Sequence, residues 1–174
     1  MPFLIRHADL LEAPSDALVY STNVGLHLSG GVGAQLLERY GWGLQERLHA
    51  CLEGRRLARR GDFFECHLET MPWRAVYHTV ATDGFYDTTP EVVQDLLARV
   101  FRDALQRGLA SIVTSALATG YGHLLYRQFL DVFASLAQAR EFQAFQSVTL
   151  CVRDRYSFEE GVEYLRGSAV RAES

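Results

Sequence analysis

The chain has 174 residues, 48% hydrophobic and 22% charged, with a net charge of −4 at pH 7. That length is enough for one domain, 1–174, with a sizeable core; no apolar run reaches the roughly 18 residues of a membrane span, and the acidic balance makes neither nucleic acid nor an anionic membrane an expected partner. The apolar part of residues 1–6 is too short for a signal peptide, and Cys51, Cys66 and Cys151 lack CxxC spacing, so reduced thiols and a cytoplasmic location are expected, with no metal and no cofactor.

Short apolar runs at 3–6 and 17–20 read as buried strands, the second entered through the turn chemistry of Pro14-Ser15-Asp16. Helical spacing runs over 34–40 and again over 44–52, punctuated by Gly41, Gly43 and Gly54. Residues 63–68 and 75–80 read as strands joined by the Met71-Pro72-Trp73 turn. The clearest helix is 90–107: Thr89 suits the N-cap, Pro90 the first helical position and Glu91 the positive dipole end. Its Val92, Val93, Leu96, Leu97, Val100, Phe101, Ala104 and Leu105 form one face at period 3.6. A strand at 111–115, a helix over 125–139, a strand at 147–152 and a helix over 158–166 complete the chain. This alternation predicts the α/β class, with a mixed, mostly parallel central sheet covered by helices on both faces.

Two glycine-rich segments each leave a strand and enter a helix. The first is Ser21-Thr22-Asn23-Val24-Gly25-Leu26-His27-Leu28-Ser29-Gly30-Gly31-Val32-Gly33, and the second is Ser115-Ala116-Leu117-Ala118-Thr119-Gly120-Tyr121-Gly122-His123. Neither contains Arg, and all 17 basic residues of the chain are Arg, so no chemistry here uses a lysine. An anion in these loops would be held by backbone N–H groups and helix N-termini, which glycine lets a phosphate approach. Two such loops facing each other suit a diphosphate. The segments lack the G-x-G-x-x-G order of a dinucleotide fingerprint and the lysine of a P-loop.

In this order the motifs resemble the macrodomain family. Asn23, Leu26, Gly30, Gly31 and Val32 fall on the spacing of the family's first loop, entered by Asp16-Ala17-Leu18-Val19. Val76-Tyr77-His78-Thr79-Val80 is similar to its Val-Ile-His-Thr-Val strand, and the run from Ser111-Ile112 through Leu117-Ala118-Thr119-Gly120-Tyr121-Gly122 to its second loop. The resemblance covers about residues 3–160. It implies a three-layer α/β/α sandwich that binds ADP-ribose, free or on an ADP-ribosylated protein. It implies adenine against Asp9 and Leu10, and the diphosphate between Ser29, Gly30, Gly31, Val32, Gly33 and Ala118, Thr119, Gly120, Tyr121, Gly122. Asn23 would lie at the distal ribose and act as the one catalytic candidate. Tyr156 or Phe158 would flank the base by stacking.

The chain also departs from the family pattern. Tyr20 stands where the first Asn of the loop motif belongs, Ser29 replaces a Gly, and Gly33 stands where many hydrolytic members carry Asp or a small residue. Each candidate has a structural alternative: Asp9 as the cap of a turn, Asn23 as a loop-forming Asn, the glycines as tight turns, His78 as a core histidine, His123 as a solvated loop residue. The run Arg55-Arg56-Leu57-Ala58-Arg59-Arg60 is the one basic cluster, read as solvated surface. Three functions stay open: an ADP-ribose-binding module, a hydrolase of ester- or O-linked ADP-ribose working through a substrate-positioned water, and a degenerate fold kept as an interaction module with Tyr20 narrowing the cleft.

Overall fold

The computed structural model describes residues 1–173. In chain order the elements are β1 (Phe3–His7), β2 (Ala17–Ser21), α1 (Gly31–Tyr40), α2 (Trp42–Ala50), β3 (Phe63–Glu65), β4 (Ala75–Thr79), α3 (Pro90–Gln106), β5 (Ser111–Thr114), α4 (Tyr126–Gln138), β6 (Ser147–Val152), α5 (Arg155–Tyr164) and β7 (Arg171–Glu173). A 3-10 turn at Arg140–Ala144 follows α4. The strands form one sheet in the order β3-β4-β2-β5-β6-β1-β7. Among the described residues only the β3–β4 pair is antiparallel, so the sheet is mixed and mostly parallel, as expected.

Strand alternation sends successive side chains to opposite faces. Phe3, Ile5, Ala17, Val19, Ala75 and Tyr77 join the core under α3 and α4. Leu18, Tyr20, Val76 and Val80 join the second core with Leu36, Leu44 and Leu48 of α1 and α2. The result is the three-layer α/β/α sandwich. Thr89 caps α3 by accepting the Val92 N–H at 3.3 Å, and the apolar face read from the sequence is the buried one.

The differences lie at element ends. α1 begins at Gly31 rather than 34, because the glycines themselves take helical positions. α5 begins at Arg155 rather than 158, because the Asp154 carboxylate accepts from the Ser157 N–H at 2.7 Å and its hydroxyl at 2.8 Å. β3 is three residues long, and the polar β7 pairs with the edge at β1.

What places the site is the way the chain leaves β2 and β5. These strands are parallel neighbours, with Ala17, Leu18 and Val19 opposite Ile112, Val113 and Thr114. After β2 the chain crosses toward β4, and after β5 it crosses toward β6, so the connections diverge and leave a crevice at the carboxyl ends. At the opposite end Asp16 locks the same strands together. Its carboxylate accepts from the Ala110 N–H at 2.7 Å and the Ser111 N–H at 3.2 Å. Its own N–H donates to the Ser111 hydroxyl at 2.8 Å, and its carbonyl accepts from Arg74 N–H at 2.8 Å.

Replacing Asp16 by Ala leaves two backbone donors at the start of β5 without an acceptor. Each unmet buried donor costs on the order of 1–3 kcal/mol, so Asp16→Ala should lower the urea midpoint at unchanged m-value by about 2 kcal/mol of stability; an unchanged midpoint would show that water replaces the carboxylate.

Candidate functional site

A cleft of about 760 Å³ opens where β2 and β5 end, within the usual size range of ligand sites. Its walls come from the turn after β1, both glycine-rich loops, the loop after β4, and the β6–α5 junction. Asp9, Leu10, Asn23, Ser29, Gly30, Gly31, Val32, Ala118, Thr119, Gly120, Tyr121 and Gly122 all line it. Two of the sequence candidates do not. Gly33 is buried beneath the loop, its Cα facing the Leu28 backbone at 3.4 Å from where a Cβ would stand. Tyr156 is exposed on α5 and lines a separate shallow depression with Arg127, Glu159, Glu160, Glu163 and Tyr164. The Asp154 cap starts the helix early and turns Tyr156 outward. Phe158 stacks on His7 at 5.6 Å, so neither aromatic flanks the cleft.

The first loop is a closed structure. Asn23 spends its side chain on it: Nδ2 donates to the His27 carbonyl at 2.8 Å, and Oδ1 accepts the His27 N–H at 3.0 Å. Gln45, buried on α2, accepts from the Leu28 N–H at 2.7 Å and donates to the Leu26 carbonyl at 2.8 Å, clamping the loop to the helix. Leu26 takes φ 53° and Gly30 φ 64°. α1 then starts with no side-chain cap, so its first N–H groups are left for a ligand at the positive end of the helix.

The second loop meets the first. A Cβ on Gly30 would stand 2.9 Å from the Tyr121 ring, so the phenol lies directly against that glycine. Ala118 takes φ 62° and accepts the Leu124 N–H at 3.2 Å. A Cβ on Gly122 would stand 2.3 Å from the Ala118 carbonyl oxygen, so only glycine fits there. The Ala118 N–H donates to the Ser21 hydroxyl at 3.2 Å, tying this loop to the end of β2. His123 points away from the cleft onto Asp87 at 2.7 Å.

At the opposite end Asp9 caps its own turn: Oδ1 accepts the Leu11 N–H at 2.9 Å. Oδ2 lies 3.8 Å from Nε of Arg153, the single cation among the lining residues. Cys151 also lines the cleft, but burial pushes its thiol up to about 11, so it stays protonated and unreactive at neutral pH.

Beneath the first loop Tyr20 belongs to the lining of the cleft. Its ring is 1% exposed and its hydroxyl lies 2.6 Å from His78 Nδ1. His78 Nε2 lies 2.8 Å from the Cys66 carbonyl. A carbonyl only accepts, so Nε2 carries the proton, Nδ1 accepts, and the Tyr20 O–H donates. Burial drives the His78 pKa down to about 4 and raises that of Tyr20. Gln45, Tyr86 and Arg153 are contributors that sequence reasoning passed over. Only Gln45 left a trace there, as a polar residue between apolar Leu44 and Leu48.

Residues 19–133 match the family model described as Macro domain. No curated protein sequence matches the chain. Solved structures with the same fold include a Trypanosoma brucei macrodomain in complex with ADP-ribose, at 19% identity and TM-score 0.73 over 89% of this chain and 65% of that one. They also include the macrodomain of Thermus aquaticus DarG, at 21% identity and TM-score 0.69 over 86% and 97%. A third is a mutant of the Oceanobacillus iheyensis macrodomain with ADPR, at 19% and 0.72 over 92% and 91%. The chain thus spans about two thirds of the Trypanosoma chain, and at these identities the likeness is one of fold.

The Tyr20–His78–Cys66 chain makes stability depend on pH. His78 is lowered to about 4 in the fold and takes up a proton near 6.5 when unfolded. The unfolded state therefore binds more protons between those values. The stabilisation is complete above pH 6.5 and is lost as pH falls toward 4, in all about 3 kcal/mol. His78→Gln, which keeps one acceptor and one donor, should flatten that part of a denaturation series; equal pH slopes for both proteins would refute the assignment.

Proposed function

The chain belongs to the macro domain family, and from that premise we propose that its cleft binds ADP-ribose, free or attached to a protein. The observation that carries the reading is the pairing of two closed glycine loops across the β2–β5 crevice with a carboxylate at the far end. The loops offer backbone donors and the uncapped start of α1 to a diphosphate. Asp9 Oδ2 accepts from the exocyclic amine of adenine while Oδ1 keeps its turn. The distal ribose then lies against the first loop at Asn23. That Trypanosoma brucei macrodomain structures of the same fold are complexes with ADP-ribose and with ADP supports the choice of ligand.

Binding comes before catalysis in this reading. The charged residues lining the cleft are Asp9, Arg153 and Asp154, all at the base end. Among the described residues no carboxylate lines the cleft beside Asn23, whose Oδ1 and one Nδ2 hydrogen close the loop on His27. Turnover would have to rest on a water positioned by the substrate's own phosphate.

Calorimetric titration with ADP-ribose, with AMP and ribose 5-phosphate as controls, tests the proposal. Micromolar affinity is expected. Asp9→Asn keeps the Leu11 cap but offers adenine a donor where an acceptor is needed, and should weaken binding about tenfold, a loss of about 1.4 kcal/mol. Saturation at about 100 times the dissociation constant should add roughly 2.7 kcal/mol of stability. Absence of binding up to millimolar ligand would overturn the reading. Incubation with a mono-ADP-ribosylated protein should release no ADP-ribose; release abolished by Asn23→Ala would make the protein a hydrolase.

A further inference from the structure

The chain's one run of basic residues is anchored to the first glycine loop. Arg55, Arg56, Arg59 and Arg60 fall within six positions and all four are exposed. The segment carrying them is built, not loose. The Ala58 side chain is buried and its N–H donates to the Val24 carbonyl at 2.7 Å, next to Asn23. Gly61 N–H donates to the Val80 carbonyl at 2.8 Å, and Val80 N–H to the Asp62 carbonyl at 2.8 Å. Arg55 is braced on Asp62 at 3.5 Å, and Arg60 on Asp83 at 3.7 Å and the Asp87 carbonyl at 3.3 Å. Arg56 and Arg59 have no ion pair among the described residues. Of the acids around them, Asp62 and Asp83 are those already paired, Asp87 faces His123, and Glu53 remains.

The loop that Arg60 holds also carries Phe85, whose side chain is 81% exposed. Its neighbour Tyr86 lines the cleft and pairs with Tyr121 across 6.5 Å. Leu57, within the arginine run, is half exposed. A continuous rim therefore runs from the cleft mouth through Tyr86 and Phe85 to the unpaired arginines.

We propose that this rim is a docking surface for single-stranded nucleic acid. Unpaired guanidinium groups supply attraction for phosphates along a backbone, and exposed rings supply stacking platforms for bases. An acidic peptide would be satisfied by the arginines alone and leaves Phe85 without a role. A duplex keeps its bases stacked and out of reach of those rings. The net charge of −4 does not oppose this, because charges beyond a Debye length of roughly 8 Å are screened in physiological salt. Arg56, Arg59 and Phe85 do not line the cleft, so the part of the rim they form stands or falls separately from the ADP-ribose reading.

Fluorescence anisotropy of the full chain with a labelled 12-mer oligothymidylate, a duplex of the same length and polyglutamate tests it. The single strand should bind most tightly at low salt. Arg56→Ala with Arg59→Ala should weaken it at least tenfold at 50 mM salt and reduce the slope of log K against log salt by about 1.4. Phe85→Ala should weaken it with the slope unchanged. ADP-ribose titration of these variants should match the wild type, showing that the cleft is intact. No binding of the oligonucleotide at 50 mM salt, or equal binding by the double variant, would overturn the proposal. Equally tight polyglutamate with no effect of Phe85→Ala would do so too, assigning the rim to an acidic protein.

Discussion

The divergence of the chain at the carboxyl ends of β2 and β5 is the constraint from which the site follows. Two parallel neighbours whose connections depart in opposite directions cannot have the space above them filled by either connection. Each strand end must therefore turn back over the crevice, and the turn needs backbone conformations that side chains disfavour. Gly30 at φ 64° and Gly122 against the Ala118 carbonyl meet that need. The backbone N–H groups that such turns expose are the same groups that hold an anion. Topology and ligand chemistry thus ask for glycine at the same positions, and Asp16 at the other end keeps the two strands in the register that makes the loops face each other.

Charge is segregated accordingly. The cleft lining carries one arginine against two carboxylates at its base end, and the two glycine loops contribute no charged side chain to it. A backbone donor carries no counter-charge to desolvate and no long side chain to order, so it is preorganised at little entropic cost. The titratable groups beneath the first loop are neutral: His78 is driven toward about 4 and the Tyr20 hydroxyl donates to it. Cations are displaced to the rim at Arg55, Arg56, Arg59 and Arg60, where water solvates them.

Much of this was legible in the residues. Runs such as Leu18-Val19 and Val76-Tyr77 are apolar on both faces because both faces are covered, and Thr89-Pro90-Glu91 announces its helix start chemically. The glycine loops could be placed because strand and helix signals flank them. What escaped was decided by contacts distant in sequence. β7 is polar and becomes a strand only because β1 offers an open edge. Tyr156 and Phe158 read as stacking partners for a base because they follow the last parallel strand, but the Asp154 carboxylate starts the helix at 155, and Tyr156 lies outside the cleft while Phe158 packs on His7. Gln45 is nineteen residues from the carbonyl it holds, a separation no local pattern reveals.

Asn23 shows how a motif position can be kept while its chemistry shifts. In sequence it reads equally as a ribose contact or as a turn former, and both readings need an amide. The structure occupies Oδ1 with the His27 N–H and one Nδ2 hydrogen with the His27 carbonyl. One Nδ2 hydrogen is left, directed near Ser29 Oγ at 3.4 Å, a long and weak contact. A group in that state can still donate once, and the second lone pair of Oδ1 can still accept, so it can hold a bound hydroxyl or water in place. A neutral amide is too weakly basic to take a proton, so it orients a ligand rather than activating a nucleophile. The two hydrogen bonds that let the loop close therefore also fix the direction in which the amide presents its remaining donor and acceptor.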